Sequence, residues 1–249
     1  MLGGNNGLIV FLIFGVIMNL VSFWFSDKIA LAMSGATELT KGSAPALEQI
    51  TKELSHEMGI PTPRLFISPQ PQPNAFATGR SPKTGVVCLT QGLINSLPQE
   101  QVAGVIAHEL AHIKNRDVLI STVAAVIAGA ISAIGNIALW APRDEEDSNP
   151  IASILLVILA PIAATLIQFA ISRSREFAAD AVAAQTMGSG KPLADALVSI
   201  STVAERYPMD INPALSSLYI ANPLGGRQLA SLFSTHPPTE ERIAKLLTI

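Results

Sequence analysis

The chain has 249 residues, enough for one large domain or two small ones, and its net charge is −3. Charged residues make up 14% and hydrophobic residues 49%, against about 25% charged residues in an average soluble protein. This apolar composition excludes a disordered chain, and the acidic balance without Lys or Arg runs argues against a nucleic-acid partner. Because Cys88 is the only cysteine, a disulfide-stabilised scaffold is excluded as well.

Three stretches contain no Asp, Glu, Lys or Arg: residues 1–26, 118–142 and 148–172. Each is long enough to cross the hydrocarbon core of a bilayer, which takes about 20 apolar residues. The first ends in the aromatic run Phe23–Phe25, typical of a membrane interface. A cleaved signal peptide would need basic residues before Leu8, and none is there. We therefore predict an N-terminal transmembrane helix in 1–26 and a transmembrane helical hairpin over 118–172.

The remaining stretches, 27–117 and 173–249, have the composition of a soluble domain. The hairpin tip at 143–147 carries one basic and four acidic residues, and in a three-span topology every other charged residue lies on the opposite side. Basic residues collect on the cytoplasmic side of membrane proteins. We therefore predict a multi-pass protein of the plasma (inner) membrane, with the lipid bilayer as a partner and both soluble stretches in the cytoplasm.

Short strands are predicted at 64–68, 74–78 and 86–90, where apolar runs are separated by proline- and glycine-rich turns. Cys88 falls within the last of these strands and is expected to be buried and inert. The other soluble segments have helical patterning. Since no Gly or Pro occurs between Val105 and Ala128, one unbroken helix is expected to continue into the second span. The fold class predicted is mainly α, with a small β-sheet and transmembrane helices.

His108, Glu109 and His112 form an H-E-x-x-H motif. On a helix the two histidines lie on one face, so both imidazoles can bind one metal ion, and Glu109 lies beside its open position. The chain has only four histidines, which makes a chance match improbable. A second pair, His56-Glu57, has Ile60 where the second histidine would be, and is predicted to lie on the surface.

A catalytic zinc ion takes three protein ligands and leaves one position open. Glu176 is the candidate third ligand, because the chain returns through the membrane to the side that carries the histidines. Taken alone, Glu176 is better explained as a surface residue paired with its arginine neighbours, and it is the upstream motif that favours the ligand role. Asp180, one helical turn later, is a candidate to accept the free N–H of a ligand histidine; the alternative is an aspartate on the helix surface.

Three segments, HELAH (108–112), SREFAAD (174–180) and STHPPTEERI (234–243), together resemble the HtpX-type membrane zinc metalloproteases. These are gluzincins related to the CAAX prenyl proteases. The resemblance implies an α+β zincin-like catalytic domain formed by 27–117 and 173–249. It implies one zinc ion per chain, bound by His108, His112 and Glu176, with Glu109 as the general base. It also implies proteolysis of unfolded, misfolded or damaged proteins, chiefly membrane proteins, in the cytoplasm.

The resemblance also places the turn at His236 near the site. Two roles are open for His236: stabilising the oxyanion of the reaction, or anchoring the C-terminal helix. Arg242 is expected to form a structural ion pair with a site carboxylate. Family members usually carry a further hydrophobic span before the first one here, so the side of the membrane that holds the N-terminus is left open.

An extended substrate is expected to pair with a strand edge within 74–90, since main-chain pairing tolerates many side chains. The alternative function is a zinc-stabilised membrane scaffold or holdase without proteolysis. Glu109 argues against it, because a purely structural zinc site closes all four positions and needs no base. A transporter is disfavoured because the three predicted spans carry no ionisable residue.

Overall fold

The computed structural model describes residues 5–140, 150–206, 218–220 and 237–249. Its helices are α1 Asn5–Trp24, α2 Ser26–Met33, α3 Pro45–Glu57, α4 Gln91–Ser96, α5 Gln99–Asn115, α6 Asp117–Trp140, α7 Pro150–Met187, α8 Lys191–Arg206 and α9 Thr239–Leu246. Its strands are β1 Thr37–Glu38, β2 Arg64–Ser68, β3 Ala75–Thr78 and β4 Val86–Thr90. The predicted fold class, mainly helical with a small sheet, is confirmed.

The four strands form one mixed sheet in the order β1-β2-β4-β3. β2 and β4 are parallel, with Phe66 opposite Cys88, whereas β3 runs antiparallel to β4. All three predicted strands are present, and β3 begins one residue later than expected. The two-residue strand β1 was not predicted; both of its residues are exposed, so it has no apolar alternation to reveal it.

Alternate residues of the sheet are buried on opposite faces, as the two-residue period of a strand requires. One face packs with α5, α8 and α9 through Leu65, Ala75, Val87, Leu89, Val105, Ile106, Leu110, Leu193, Leu197 and Leu246. The other face buries Phe66, Phe76, Val86, Cys88 and Tyr219. Burial raises the pKa of the Cys88 thiol to about 12, so this cysteine is buried within β4 and inert, as expected. The central strand β4 is therefore covered on both sides, and α5 is fixed against it.

The prediction of one unbroken helix over 105–128 is wrong. α5 ends at Asn115, Arg116 adopts the left-handed conformation with φ 57°, and α6 begins at Asp117. The two helices meet at a bend of 57°. Helix propensity alone gives no warning of such a break, because neither glycine nor proline is present.

Two compact units make up the chain: Met1–Trp24 with Leu119–Ser172, and Phe25–Val118 with Arg173–Ile249. Within the described residues, no single helix meets the length and hydropathy expected of a membrane span. Two bent pairs of helices meet it together: Ile13–Trp24 with Ser26–Met33, and Gln99–Asn115 with Asp117–Ser132. The predicted hairpin tip at 143–147 lies outside the described residues.

Replacing Gly104 by alanine is expected to destabilise the protein. A Cβ atom at Gly104 in α5 would lie 2.7 Å from the backbone nitrogen of Leu193 in α8, so the two helices would have to separate. Overpacking of this kind costs about 1–3 kcal/mol, which exceeds the gain in helix propensity of about 1 kcal/mol. We expect a lower Tm for the detergent-solubilised protein.

The matched control is Gly129→Ala in α6, where a Cβ meets no described atom within 4 Å. This substitution is expected to leave Tm unchanged or raise it. A Gly104→Ala protein with the Tm of the wild type would contradict the close contact between α5 and α8.

Candidate metal centre

The H-E-x-x-H motif lies in the buried middle of α5, which packs against the sheet. His108 and His112 are one helical turn apart, and their Nε2 atoms lie 3.0 Å from each other. The two imidazole rings are nearly perpendicular, with centroids 4.6 Å apart. His108 is fully buried, while the side chain of His112 is 19% exposed. Both Nε2 atoms therefore reach a common point at the surface of the helix.

Glu176 brings a carboxylate to this point from α7. Its Oε2 atom lies 3.6 Å from Nε2 of His108, and its Oε1 atom lies 3.6 Å from Nε2 of His112. One ligand atom from each of the three residues falls within 4.8 Å of the other two. Two imidazole nitrogens and a carboxylate oxygen are ligands that zinc accepts at about 2 Å, and the observed separations suit one shared cation.

Glu109 is 1% exposed, and among the described residues neither of its carboxylate oxygens has a hydrogen-bond partner. Burial raises the pKa of Glu109, and the charges of His108 and His112 offset this only in part. A buried carboxylate without a partner is costly, and native structures retain one chiefly where a ligand or a reacting group meets it. His108, His112 and Glu176 therefore fit a metal site, and Glu109 fits the position of a base beside it.

His108 is held by a carboxylate and an arginine. Its Nδ1 atom lies 2.9 Å from Oδ1 of Asp180, and Arg242 donates to both oxygens of Asp180, at 2.7 and 2.8 Å. Arg242 also lies 3.1 Å from Oε2 of Glu176 and is itself 2% exposed. One guanidinium from α9 thus contacts the carboxylates of two residues of α7.

Burial and the positive charge of Arg242 have the largest effects on the pKa values of Asp180 and His108. Burial alone would raise the pKa of Asp180, but Arg242 and the hydrogen bonds from His108 and Arg242 together lower it to about 2. Burial and Arg242 act to lower the pKa of His108, and the hydrogen bonds with Asp180 and Glu176 outweigh them, raising it to about 9. Asp180 is therefore ionised at neutral pH and accepts the N–H on Nδ1 of His108.

The structure brings six of the seven predicted site residues together: His108, Glu109, His112, Glu176, Asp180 and Arg242. Glu176 and Asp180 are both buried, so Glu176 is not a surface residue paired with its arginine neighbours, and Asp180 is not an aspartate of the helix surface. The seventh, His236, lies outside the described residues. The assignment of catalytic and metal-binding roles to these residues stays a prediction.

Two contacts near the site were missed by sequence reasoning. Asp117 lies 2.6 Å from Nδ1 of His112, and Arg175 donates from Nε to Asp117 at 2.5 Å. The prediction of one unbroken helix would have turned Asp117 away from His112. The only available signal was a carboxylate shortly after the motif together with an arginine directly before Glu176.

The sheet ends at β3, on the side away from β1 and β2. The backbone N–H of Ile220 donates to the carbonyl of Ala75 at 3.0 Å, and Arg242 donates to the carbonyl of Ile220 at 2.8 Å. Tyr219 meets Phe76 edge-to-face on the opposite side of the sheet. Consecutive residues buried on opposite faces are the pattern of an added strand, so residues 219 and 220 cover the start of this edge.

Comparisons with known proteins agree with this geometry. The profile of "Peptidase family M48" matches residues 42–249. A "Protease HtpX homolog" of Pelotomaculum thermopropionicum is 48% identical over 253 residues, covering 98% of this chain and 90% of that protein. One of Aquifex aeolicus is 46% identical over 256 residues, covering 98% and 85%. The crystal structure of S. mikatae Ste24p has a similar fold, with a TM-score of 0.59 at 19% identity over 96% of this chain and 58% of that one.

Replacing Arg242 by methionine is expected to destabilise the metal-free protein strongly. The substitution keeps most of the side-chain volume but leaves the carboxylates of Glu176 and Asp180 buried without their cation. Breaking a buried ion pair in this way costs about 3–5 kcal/mol. We expect Tm in detergent to fall by roughly 10 °C, as measured by circular dichroism.

Lys245→Met on the same helix is the matched control, since Lys245 is exposed; its ammonium group lies 3.5 Å from Glu241 and 3.5 Å from the centre of the Phe177 ring. Each of these two exposed contacts contributes at most about 1 kcal/mol. If both variants lost the same Tm, Arg242 would not be the residue that balances the buried charges of Glu176 and Asp180.

Proposed function

Because the chain belongs to peptidase family M48, we propose that it is an integral-membrane zinc endopeptidase that hydrolyses peptide bonds of misfolded or damaged proteins. The resemblance to HtpX-type metalloproteases found in the sequence is confirmed by the relatives at 46% and 48% identity, and the chain is a metalloprotease. One observation carries the proposal: the buried carboxylate of Glu109, which has no hydrogen-bond partner within the described part of the chain, lies next to two histidines and a glutamate whose ligand atoms lie close enough to share one cation.

His108, His112 and Glu176 would hold the metal, and their donor set favours zinc. Zinc bound there would supply an activated water and polarise the scissile carbonyl. The roles of the protein's own groups follow from their positions. Asp180, backed by Arg242, orients the imidazole of His108 and keeps the proton on its Nδ1 atom.

Glu109 acts as the general base. Its raised pKa brings it closer to the operating pH, where a carboxylate both accepts and releases a proton efficiently. It takes the proton from the attacking water and returns it to the leaving amine. His236 is proposed to stabilise the developing oxyanion, with anchoring of the C-terminal helix as its alternative role.

Substrate is proposed to bind as an extended strand along β3. The carbonyl of Asn74 accepts from Thr90 of the β4 side and that of Ala75 from Ile220, so successive residues face alternate sides. By this alternation the N–H and C=O groups of Ala77 point away from β4, as those of Ala75 do, and Ile220 pairs with Ala75. A strand added there would gain affinity from main-chain hydrogen bonds while remaining tolerant of sequence, which suits misfolded substrates.

A membrane location is supported by the apolar surface of α1, α6 and α7. Several large apolar side chains on these helices are at least half exposed, among them Ile13, Ile17, Ile127, Ile158 and Leu166. Exposed apolar side chains in such numbers are typically covered by lipid or by protein. The acidic segment 143–147 supports an orientation with the metal centre on the cytoplasmic side.

Replacing Glu109 by glutamine is expected to abolish proteolysis while leaving the metal bound. The amide keeps the size of the side chain but accepts no proton from water. The experiment is digestion of an unfolded reporter protein in mild detergent by wild type and Glu109→Gln. Each protein is metal-stripped and then reloaded with zinc, and metal content is measured in parallel.

Glu57→Gln is the matched control, because Glu57 belongs to the other His-Glu pair and is exposed. This variant should cleave like the wild type. Cleavage retained by Glu109→Gln would refute the general-base role. If wild type and Glu109→Gln each bind one zinc and neither cleaves, the function moves to a zinc-stabilised membrane scaffold.

The acid limb of the pH profile is expected to lie above the usual glutamate pKa of about 4.3. Glu109 is active as a base only when ionised, and burial raises its pKa. Activity is therefore present above that raised pKa and lost as the pH falls through it. The measurement is kcat/KM for a peptide substrate between pH 4 and 8, with folding followed by circular dichroism; an acid limb at or below 4.3 in a folded protein would contradict the assignment.

A further inference from the structure

We propose that Asp117 is a positioning residue for His112, and that Arg175 fixes Asp117 in that position. The second histidine of the motif would then have its own carboxylate–arginine pair. The inference rests on the proposed zinc-peptidase function and adds two residues to its machinery. Neither residue touches the substrate in this assignment; both act through the imidazole of His112.

The contacts define the direction of each hydrogen bond. Asp117 Oδ2 lies 2.6 Å from Nδ1 of His112, while Nε2 of the same ring faces His108 and Glu176. An ionised aspartate only accepts, so Nδ1 carries the proton and Nε2 presents its lone pair to a metal. The other oxygen of Asp117 accepts from Nε of Arg175 at 2.5 Å and also contacts its Nη2 atom.

The arrangement repeats the one found at the first histidine. His108 contacts Asp180, which is held by Arg242; His112 contacts Asp117, which is held by Arg175. Each of the two histidines thus donates to a carboxylate that also accepts from an arginine. The side chains of Asp180 and Asp117 are both largely buried, 5% and 10% exposed, so solvent screens neither contact strongly.

The backbone explains how Asp117 reaches His112. In a continuous helix a residue five positions later is rotated by about 140° around the axis, which would turn its side chain away. Arg116 interrupts the helix in the left-handed conformation, at φ 57° and ψ 43°. That conformation costs a non-glycine residue roughly 1–2 kcal/mol, and strain of this kind persists where function selects the result. The break directs Asp117 back towards the motif.

Arg175 also places the pair next to the third ligand. It directly precedes Glu176 on α7, whereas Asp117 begins α6. Its ion pair with Asp117 therefore joins the segment after the motif to the helix that carries Glu176. Partners that fix the orientation of a ligand histidine typically contribute 10–100-fold in metal affinity.

The test is zinc affinity of Asp117→Asn, measured by competition with a chromophoric chelator. The Glu109→Gln background is used so that self-cleavage does not interfere. We expect the Kd for zinc to rise by about 10–100-fold, because the side-chain amide would hold the ring orientation and tautomer of His112 less firmly than the carboxylate that contacts its Nδ1 atom. The absorption spectrum of the cobalt-loaded protein is expected to change, which a loss of stability alone would not produce.

Asp195→Asn is the matched control, because Asp195 forms an exposed ion pair with Lys191 far along the chain; it should leave both readouts unchanged. Arg175→Gln keeps Asp117 but frees it, and should weaken zinc binding by a smaller factor. Arg175→Lys should recover part of that loss. If Asp117→Asn does not fold, this Arg175 series decides the question.

Wild-type zinc affinity and an unchanged cobalt spectrum in folded Asp117→Asn, or in both Arg175 variants, would overturn the proposal. Because the readouts need no proteolysis, the two ideas fail separately. If the wild type cleaves nothing but Asp117→Asn weakens zinc binding, the peptidase function fails and the positioning role stands. If the wild type cleaves with zinc and Asp117→Asn binds zinc normally, only the positioning role fails.

Discussion

The contact of Arg242 with Glu176 and Asp180 is the interaction on which the rest of the centre depends. Three carboxylates, with Glu109 the third, are buried around two histidines, and unbalanced charge in such a place is costly. Arg242 supplies a fixed cation between two of them, at 3.1 Å from Glu176 and 2.7 Å from Asp180. The third, Glu109, is left without a hydrogen-bond partner among the described residues.

The elements that surround the centre hold helix α5 in place. Residues of β4 and α8 belong to the same buried cluster as this helix, and Gly104 allows α8 to approach the backbone of α5 closely. His108 and Glu109 thereby sit in a rigid, water-poor environment, where hydrogen bonds and charges act more strongly than in water. The side chain of His112 is 19% exposed, so it lies at the edge of this environment, where solvent reaches it.

Sequence reasoning found what regular periodicity determines. The spacing of His108 and His112 requires only a helix, and Glu176 and Asp180 follow from one helical turn once the return of the chain is assumed. It missed Asp117 because the left-handed residue Arg116 carries no sequence signature. It missed Ile220 because a single hydrogen bond to Ala75 leaves no periodic pattern. For contacts between distant segments, the sequence indicated the type of contact but not the partner: it predicted that Arg242 pairs with a carboxylate of the site, and the structure shows that Asp180 is one of them.

The position of Arg242 along the chain has a consequence for biosynthesis. The ribosome makes the two histidines, Glu109 and Glu176 well before it makes Arg242, and the guanidinium reaches the carboxylates only when α9 docks. Until then the carboxylates of Glu176 and Asp180 have no arginine beside them. The charge balance of this cluster is therefore expected to be completed only after α9 has been synthesised and has docked, so its assembly is a late step in the folding of the chain.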